Sequence, residues 1–115
     1  MNGAVELQKI MSALISDCKD MFGEKLSEVR LYGSYARGEQ TEYSDIDVMI
    51  LLDMNDIEAR KHLISVCDMA SEISLAYDCV NVAPHICSRG RYDKMKALPG
   101  FYFNVMSEGV SMYAG

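Results

Sequence analysis

Two aspartates near the middle of the chain, Asp45 and Asp47, are spaced for chemistry on a β-strand. Residues i and i+2 of a strand project from the same face, roughly 6–7 Å apart. Two carboxylates held this way repel each other unless a cation lies between them. Mg²⁺ is commonly held by one or two carboxylates together with phosphate oxygens, and two such ions can stabilise both oxygens of a phosphoryl displacement. The pair therefore predicts a Mg²⁺ site that serves phosphate chemistry.

A second group of residues, upstream of the aspartates, is suited to binding phosphate. Gly33 allows the backbone to approach a ligand closely, and Ser34 offers a hydroxyl beside backbone N–H groups at the start of a short helix. Arg37, about one turn later, adds a cation for the same phosphates. We therefore expect Gly33, Ser34 and Arg37 to form a phosphate-binding site that faces the pair of aspartates. Ten residues separate Ser34 from Asp45. The two motifs at this spacing are a far more specific signal than either Gly-Ser or Asp-x-Asp alone.

The elements that must position these residues follow from hydrophobic alternation. Asp45–Leu52 is apolar on both faces beyond its two acids, which predicts a strand in the centre of a sheet. Val29–Tyr32 predicts a short strand that runs into Gly33. Ser34–Arg37 predicts a one-turn helix that ends at Gly38.

The rest of the chain continues to alternate helices and strands. Pro84 indicates an irregular or edge strand. A continuous core-facing stripe is expected on the long helix that follows the central strand, with these members: Ile57, Leu63, Ile64, Cys67, Ala70, Ile73 and Tyr77. We expect, in chain order, helix Leu7–Phe22, helix Ile57–Tyr77, strand Cys79–Cys87, helical pieces Tyr92–Leu98 and Pro99–Met106, and strand Val110–Tyr113. This order predicts an α+β (α/β) fold, a small mixed β-sheet packed with helices, in one domain over residues 1–115.

Composition and charge argue against two classes of protein, nucleic-acid binders and membrane-spanning proteins. The chain has 115 residues with 11 basic and 17 acidic side chains, a net charge of −6. This balance argues against strong nucleic-acid binding. The longest apolar run, Val48–Leu52, is too short to span a membrane. The four cysteines form no CxxC pair, and we interpret them as reduced core thiols of a cytoplasmic protein without a signal peptide: Cys18, Cys67, Cys79 and Cys87.

The segment 31–52, LYGSYARGEQTEYSDIDVMILL, resembles the DNA polymerase β-like nucleotidyltransferases, whose pattern is Gly-Ser, about ten residues, then Asp-x-Asp. The GSYARGE form and the C-terminal FYFNVMSEGVSMYAG are similar to the minimal nucleotidyltransferases (MNT proteins), many of which are antitoxins paired with a HEPN-domain ribonuclease toxin. The resemblance implies the polymerase β-like fold, catalytic Asp45 and Asp47 that bind Mg²⁺, and Gly33 and Ser34 that hold a nucleoside triphosphate. It further implies transfer of AMP from ATP to a tyrosine of the toxin.

The resembled family normally carries a third acid on the next strand, and this chain departs from that pattern. Asn81 occupies the aligned position, where it could supply an oxygen ligand but no base. Asp78 would need a bulge to reach the same face, and His85 is the titratable group that shares the face of Asn81. Loss of a general base slows a reaction by roughly 10²–10⁴-fold without abolishing it.

Two functions from different classes therefore remain open. The first is a Mg²⁺-dependent nucleotidyltransferase that modifies a partner protein. The second is a catalytically weak or inactive antitoxin that neutralises its partner by binding alone. An antibiotic or tRNA nucleotidyltransferase is disfavoured, because such enzymes add substrate-binding domains. Apolar surface that includes Met106 and Met112 is available for a partner protein or for a homo-oligomer.

Overall fold

A four-stranded sheet forms the centre of the computed structural model, which describes residues 3–115 and the side chains from Glu6 onward. Residues 1–2 of the predicted domain lie outside the described residues. The spatial order is β3-β2-β1-β4; β1 runs antiparallel to both β2 and β4, and β3 runs parallel to β2. The mixed sheet that the sequence predicts is thus confirmed. The strands are β1 Leu26–Tyr32, β2 Ile46–Leu52, β3 Val82–Ser88 and β4 Val110–Ala114.

Six helices connect and cover the strands in the described part of the chain. A short 3₁₀ turn, Gly23–Lys25, joins the first helix to β1. Gly38 ends the one-turn helix in left-handed backbone with φ 71°, as the sequence predicts. The helices are α1 Gly3–Phe22, α2 Ser34–Arg37, α3 Asp56–Arg60, α4 Leu63–Ala76, α5 Arg89–Met95 and α6 Phe101–Glu108.

Strand β2 is buried on both faces, which confirms its predicted central position. One face joins the larger core, between the sheet and helices α1 and α4, through Ile46, Val48, Ile50 and Leu52. The other face carries Met49 and Leu51 into a second core. Only Asp47, the second residue of the strand, interrupts this burial, which is where a site can open.

Helices α5 and α6 close the second core over the opposite face of the sheet. Tyr92 of α5 and Val105 of α6 are buried there against Met49 and Leu51. β1 contributes polar residues to this side, because Glu28, Arg30 and Tyr32 alternate with the apolar Val29 and Leu31. The sheet is therefore covered on both faces.

The sequence predicts one long helix after β2, and this prediction is wrong in one respect. The structure has two helices there, α3 and α4. Backbone N–H groups of Lys61 and His62 bond three residues back, to Glu58 and Ala59, at 3.2 and 3.1 Å. This tight turn ends α3 and restarts the helix out of phase with a continuous 3.6-residue repeat.

The predicted core stripe is also wrong in part, because α4 packs on the sheet through a face rotated from the predicted one. Ala70 and Ile73 are buried as expected, together with Val66 and Met69. Four predicted members lie on the outer surface instead: Ile57, Leu63, Ile64 and Cys67.

The third strand begins later than predicted. Asp78 and Cys79 both adopt left-handed backbone, with φ of 58° and 59°, so the chain is not extended before Val82. Pro84 lies in β3 at the edge of the sheet, as expected, where its missing N–H costs no ladder bond on the open side.

The cysteines are free thiols, but only half of them are core residues. Cys18 and Cys87 are buried, whereas Cys67 and Cys79 are exposed, which corrects the expectation of four core thiols. Cys67 lies on the outer face of α4, and Cys79 lies in the turn after it. Within residues 3–115 no helix is both long enough and apolar enough to cross a membrane.

Candidate active site

Asp47 lies on β2 between two neighbouring strands, in register with Tyr32 of β1 and Ala83 of β3. Its side chain is half-buried, whereas Asp45 lies just before the strand and is exposed. Burial, followed by the nearby charge of Asp45, raises the pKa of the Asp47 carboxyl above its ordinary value. The predicted pair of carboxylates is thus brought together, and the charge of Asp45 acts on Asp47.

Gly33 lies directly against this carboxylate. Its φ of 75° and ψ of −156° are open to glycine and strained for other residues. A Cβ on Gly33 would overlap the Oδ2 atom of Asp47. The glycine therefore allows the β1–α2 turn to approach the acid. The close approach of this turn to a ligand stays a prediction.

Helix α2 begins at Ser34, immediately beyond this contact. The carbonyl of Gly33 accepts hydrogen bonds from the N–H groups of Ala36 and Arg37, both at 3.1 Å. The first N–H groups of a helix have no acceptor within the helix. The first N–H groups of α2 and the hydroxyl of Ser34 are therefore the donors that this end of the helix offers to anionic oxygens.

Arg37 ends α2 with its guanidinium held by two carboxylates. Its Nε donates to Glu39 at 2.8 Å, and its Nη1 donates to both oxygens of Glu108 at 3.1 and 3.2 Å. Burial and the charge of Asp45 raise the pKa of the Asp47 carboxyl. The positive charge of Arg37 acts in the opposite direction, but its effect is smaller. Glu108, on α6, is a site residue that sequence reasoning missed, because 71 positions separate it from Arg37.

Asn81 lies one residue before β3, in the position where the resemblance places a third acid. Its backbone carbonyl accepts a hydrogen bond from Ile46 at 2.8 Å, which joins the two parallel strands beside the site. Asn81 is exposed and lines a cavity of about 290 Å³ against α4. The cavity is also lined by Ser71, Ser74, Leu75, Cys79 and Val82.

The other titratable candidates are His85, on β3, and Asp78, in the turn before that strand. His85 is in register with Met49 and packs against the rings of Phe101 and Tyr102, with centroids 5.2 and 6.2 Å away. Burial, and then the charge of Arg91, lowers the pKa of His85 below its ordinary value. Asp78 lies in the left-handed turn after α4. Burial therefore disfavours the protonated form of His85, whose ring lies against α6.

Tyr32 is a further neighbour of Asp47 that sequence reasoning missed. It faces Asp47 across the β1–β2 ladder and packs edge-on against Phe101, with centroids 5.6 Å apart. Burial, and then the Asp47 charge, raises the pKa of Tyr32 to about 12. Its phenol therefore stays protonated at neutral pH and can donate a hydrogen bond beside the acid.

The donor set of this site suits Mg²⁺. Asp45 and Asp47 offer hard oxygen ligands, and their mutual repulsion is what a cation would relieve. Across residues 3–115 no group of three or more His, Cys, Asp or Glu side chains is arranged to hold a metal ion. Two carboxylates would therefore share the ion with water and phosphate oxygens, which is the usual arrangement for Mg²⁺ at a nucleotide.

Comparison with known proteins agrees with this geometry. Residues 11–106 match the family model described as nucleotidyltransferase domain. A relative from Methanocaldococcus jannaschii, named as a candidate protein adenylyltransferase, is 30% identical over 106 residues, which are 92% of this chain and 97% of that protein. Another relative with this description, from the same organism, is 37% identical over 75 residues, which are 64% of this chain and 73% of that protein.

Solved structures share the fold. A candidate nucleotidyltransferase from Sulfolobus solfataricus superimposes with a TM-score of 0.54 at 18% identity, over 95% of this chain and 83% of that one. A chain from a toxin–antitoxin complex with AMP-PNP superimposes with a TM-score of 0.50 at 19% identity, over 89% and 72%. These neighbours and the family match confirm the predicted fold, and the chain belongs to the nucleotidyltransferase domain family of transferases.

Proposed function

We propose that this protein transfers AMP from ATP to a hydroxyl group of a partner protein, in a Mg²⁺-dependent reaction. The proposed acceptor is a tyrosine of a HEPN-type toxin, for which the protein would serve as the antitoxin. A reaction that consumes ATP also suits the cytoplasmic location expected for a chain whose cysteines are free.

The contact between Gly33 and Asp47 is the observation that carries this proposal. Phosphoryl transfer needs the phosphate chain and the cation-binding carboxylates next to each other, so that the bond to phosphorus forms and breaks in line. A turn with any side chain at position 33 would hold the start of α2 away from Asp47. Glycine removes that barrier.

Each residue has a definite part in the proposed reaction. Ser34 and the first N–H groups of α2 bind phosphate oxygens, and Arg37 adds positive charge to them. Asp45 and Asp47 would hold Mg²⁺, which would supply charge stabilisation at the reacting phosphate. The acceptor oxygen bonds to the α-phosphorus, and pyrophosphate leaves with the electron pair of the broken P–O bond. The hydroxyl proton is lost to water.

The protein acceptor is supported by the relatives, which are named for protein adenylyltransfer. The toxin partner is supported by the toxin–antitoxin complex with AMP-PNP, whose chain shares this fold. The net charge of −6 supports a protein acceptor over a long nucleic acid.

The test incubates the protein with ATP labelled at the α-phosphate, Mg²⁺ and the product of the adjacent gene. We expect label on a tyrosine of that product, lost in Asp47→Asn and retained in Asp53→Asn, an exposed acid just beyond the opposite end of β2. Label that persists in Asp47→Asn would contradict the proposed site. No label with any hydroxyl-bearing acceptor in the presence of wild-type protein would contradict the activity.

A second function, neutralisation by binding alone, is favoured by one observation. No third acidic, His or Cys side chain joins Asp45 and Asp47 in a metal-holding group among the described residues. Under this alternative, the Asp45→Asn/Asp47→Asn double variant would neutralise the partner as well as wild type does. Under the enzymatic proposal, the double variant binds the partner but leaves it toxic.

A further inference from the structure

Helix α6 brings a carboxylate into the proposed phosphate-binding region. Glu108, the last residue of α6, accepts hydrogen bonds from Nη1 of Arg37 with both of its oxygens. Its charge also reaches Asp47, where it acts with Asp45 to raise the carboxyl pKa. The acid is 28% exposed, so it is partly screened from water rather than free on the surface.

The end of α6 that carries Glu108 is fixed to the sheet. Arg30 of β1 donates to the carbonyls of Val105, Met106 and Gly109 at 3.1, 2.7 and 3.1 Å. Such bonds satisfy the free carbonyls at a helix C-terminus. A Cβ at Gly109 would overlap the carbonyl of Val105, so the chain turns here with no room for a side chain. Glu108 is thereby held at a defined place beside α2.

The guanidinium of Arg37 is left with one free edge. Glu39 takes Nε and Glu108 takes Nη1, while Nη2 donates to no acceptor in the described part of the chain. Because the guanidinium is planar, the hydrogen bonds from Nη1 to both oxygens of Glu108 fix the direction of Nη2. Apart from these two ion pairs, little holds the Arg37 side chain, which is long, 42% exposed and carried on a helix of one turn.

We propose that Glu108 is a positioning residue, which orients Nη2 of Arg37 toward the polyphosphate of the bound nucleotide. This inference rests on the proposed function, since it assigns Arg37 to the phosphates of ATP. Fixing a free arginine side chain costs binding free energy through lost rotamer entropy. Glu108 lowers that cost because Arg37 is already ordered before the nucleotide arrives.

Glu39 provides the matched control within the same cluster. It carries the same carboxylate and bonds the same guanidinium, but its side chain is 63% exposed and lies only two residues from Arg37. An ion pair this exposed contributes little order. Glu108 differs because its backbone is fixed to the sheet through Arg30. The two variants therefore separate positioning from simple loss of negative charge near Arg37.

The test measures the dissociation constant of ATP with Mg²⁺ by calorimetry, together with the melting temperature of each variant. We expect Glu108→Gln to weaken ATP binding about 3–10-fold, which is the size of one ordered charge-assisted contact. Glu39→Gln should change it less than about 2-fold, as exposed pairs do. The Arg37→Ala/Glu108→Gln double variant should bind no more weakly than Arg37→Ala alone, because Glu108 acts through Arg37.

Several outcomes would overturn the inference while leaving the proposed function intact. Tighter ATP binding by Glu108→Gln would mean that Glu108 competes with phosphate for Arg37. Losses that add in the double variant would mean that Glu108 acts independently of Arg37. Equal ATP affinity of wild type and Glu108→Gln would show that Glu108 does not position Arg37 for the nucleotide. Failure of the wild-type protein itself to bind ATP with Mg²⁺ would instead overturn the proposed function and the inference together.

Discussion

Gly33 and Asp47 are in direct contact at the end of the sheet. The glycine lies so close to the carboxylate that a Cβ atom at position 33 would overlap Oδ2 of Asp47. β1 and β2 are paired up to this point, with Tyr32 opposite Asp47. The turn that follows Tyr32 therefore passes beside the acid rather than away from it. The proposed phosphate-binding turn and cation-binding carboxylate are held next to each other by one ladder of backbone hydrogen bonds.

Substitution of Gly33 tests this contact. Gly33→Ala should abolish ATP binding, because its Cβ displaces the Asp47 carboxylate, and should lower stability by about 1–3 kcal/mol through backbone strain. Gly38→Ala is the control: its φ is also positive, at 71°, but a Cβ there meets no atom within 4 Å. Calorimetry and thermal melts should show a stability loss in both variants and a binding loss only at Gly33. Retained ATP binding in a folded Gly33→Ala protein would contradict the close approach.

Asp47 should cost stability when no cation is present. Burial and Asp45 raise its folded pKa above 3.8, so the ionised form disfavours the folded state at pH values above that pKa, and the penalty fades as pH falls through it. In EDTA at neutral pH, Asp47→Asn should therefore melt about 2–4 °C higher than wild type. The difference should shrink toward pH 4. A lower melting temperature for Asp47→Asn at neutral pH would show that Asp47 stabilises the fold.

Arg30 should be a major contributor to stability. It donates to three carbonyls at the end of α6 and to Glu28 at 2.9 Å, and lysine cannot reproduce that planar set. We expect Arg30→Lys to reduce the free energy of unfolding by about 2–4 kcal/mol, measured by urea denaturation. Arg60→Lys, on the exposed side of α3, should stay within about 0.5 kcal/mol of wild type. Equal denaturation midpoints for the two variants would rule out this role.

Glu28 should make the fold acid-sensitive. Burial alone would raise its pKa, but hydrogen bonds from Arg30 and Arg89 outweigh burial and hold it below the ordinary 4.5. A depressed folded pKa gives stability that is present above the unfolded value and lost as pH falls through the folded one. At pH 7, Glu28→Gln should be less stable than wild type, with the gap narrowing below about pH 4.5. Glu24→Gln, an exposed control in the turn before β1, should cost less stability at pH 7 than Glu28→Gln does.

Thiol labelling of the native protein should distinguish two pairs of cysteines. Cys67 and Cys79 are exposed and should react quickly with a disulfide reagent. Cys18 should be inert, because burial and then the charge of Asp17 raise its pKa to about 12. Two fast thiols in native protein, and four in denaturant, are expected. A Cys67→Ser/Cys79→Ser variant that still showed a fast thiol would place Cys18 or Cys87 at the surface.

The sequence by itself determined the local features of this protein. Strand alternation placed β2 at the centre of the sheet, and the order of helices and strands defined the fold class, because side-chain periodicity reports directly on burial. Gly33 and Gly38 marked the bounds of α2, since positive φ favours glycine. The spacing of Gly33-Ser34 and Asp45/Asp47 was enough to indicate the family that the comparisons confirm.

Tertiary structure decided which distant charges meet. The pairing of Arg37 with Glu108, and the network of Glu28 with Arg30 and Arg89, depend on how α5 and α6 cross the sheet. Packing likewise decided which face of α4 turns inward, and it left four residues of the predicted stripe exposed: Ile57, Leu63, Ile64 and Cys67. These relationships are absent from any local pattern, because packing between elements far apart in the chain sets them. The helices and strands that form the site are therefore set by nearby sequence, while the charge pairs around it are set by packing between distant parts of the chain.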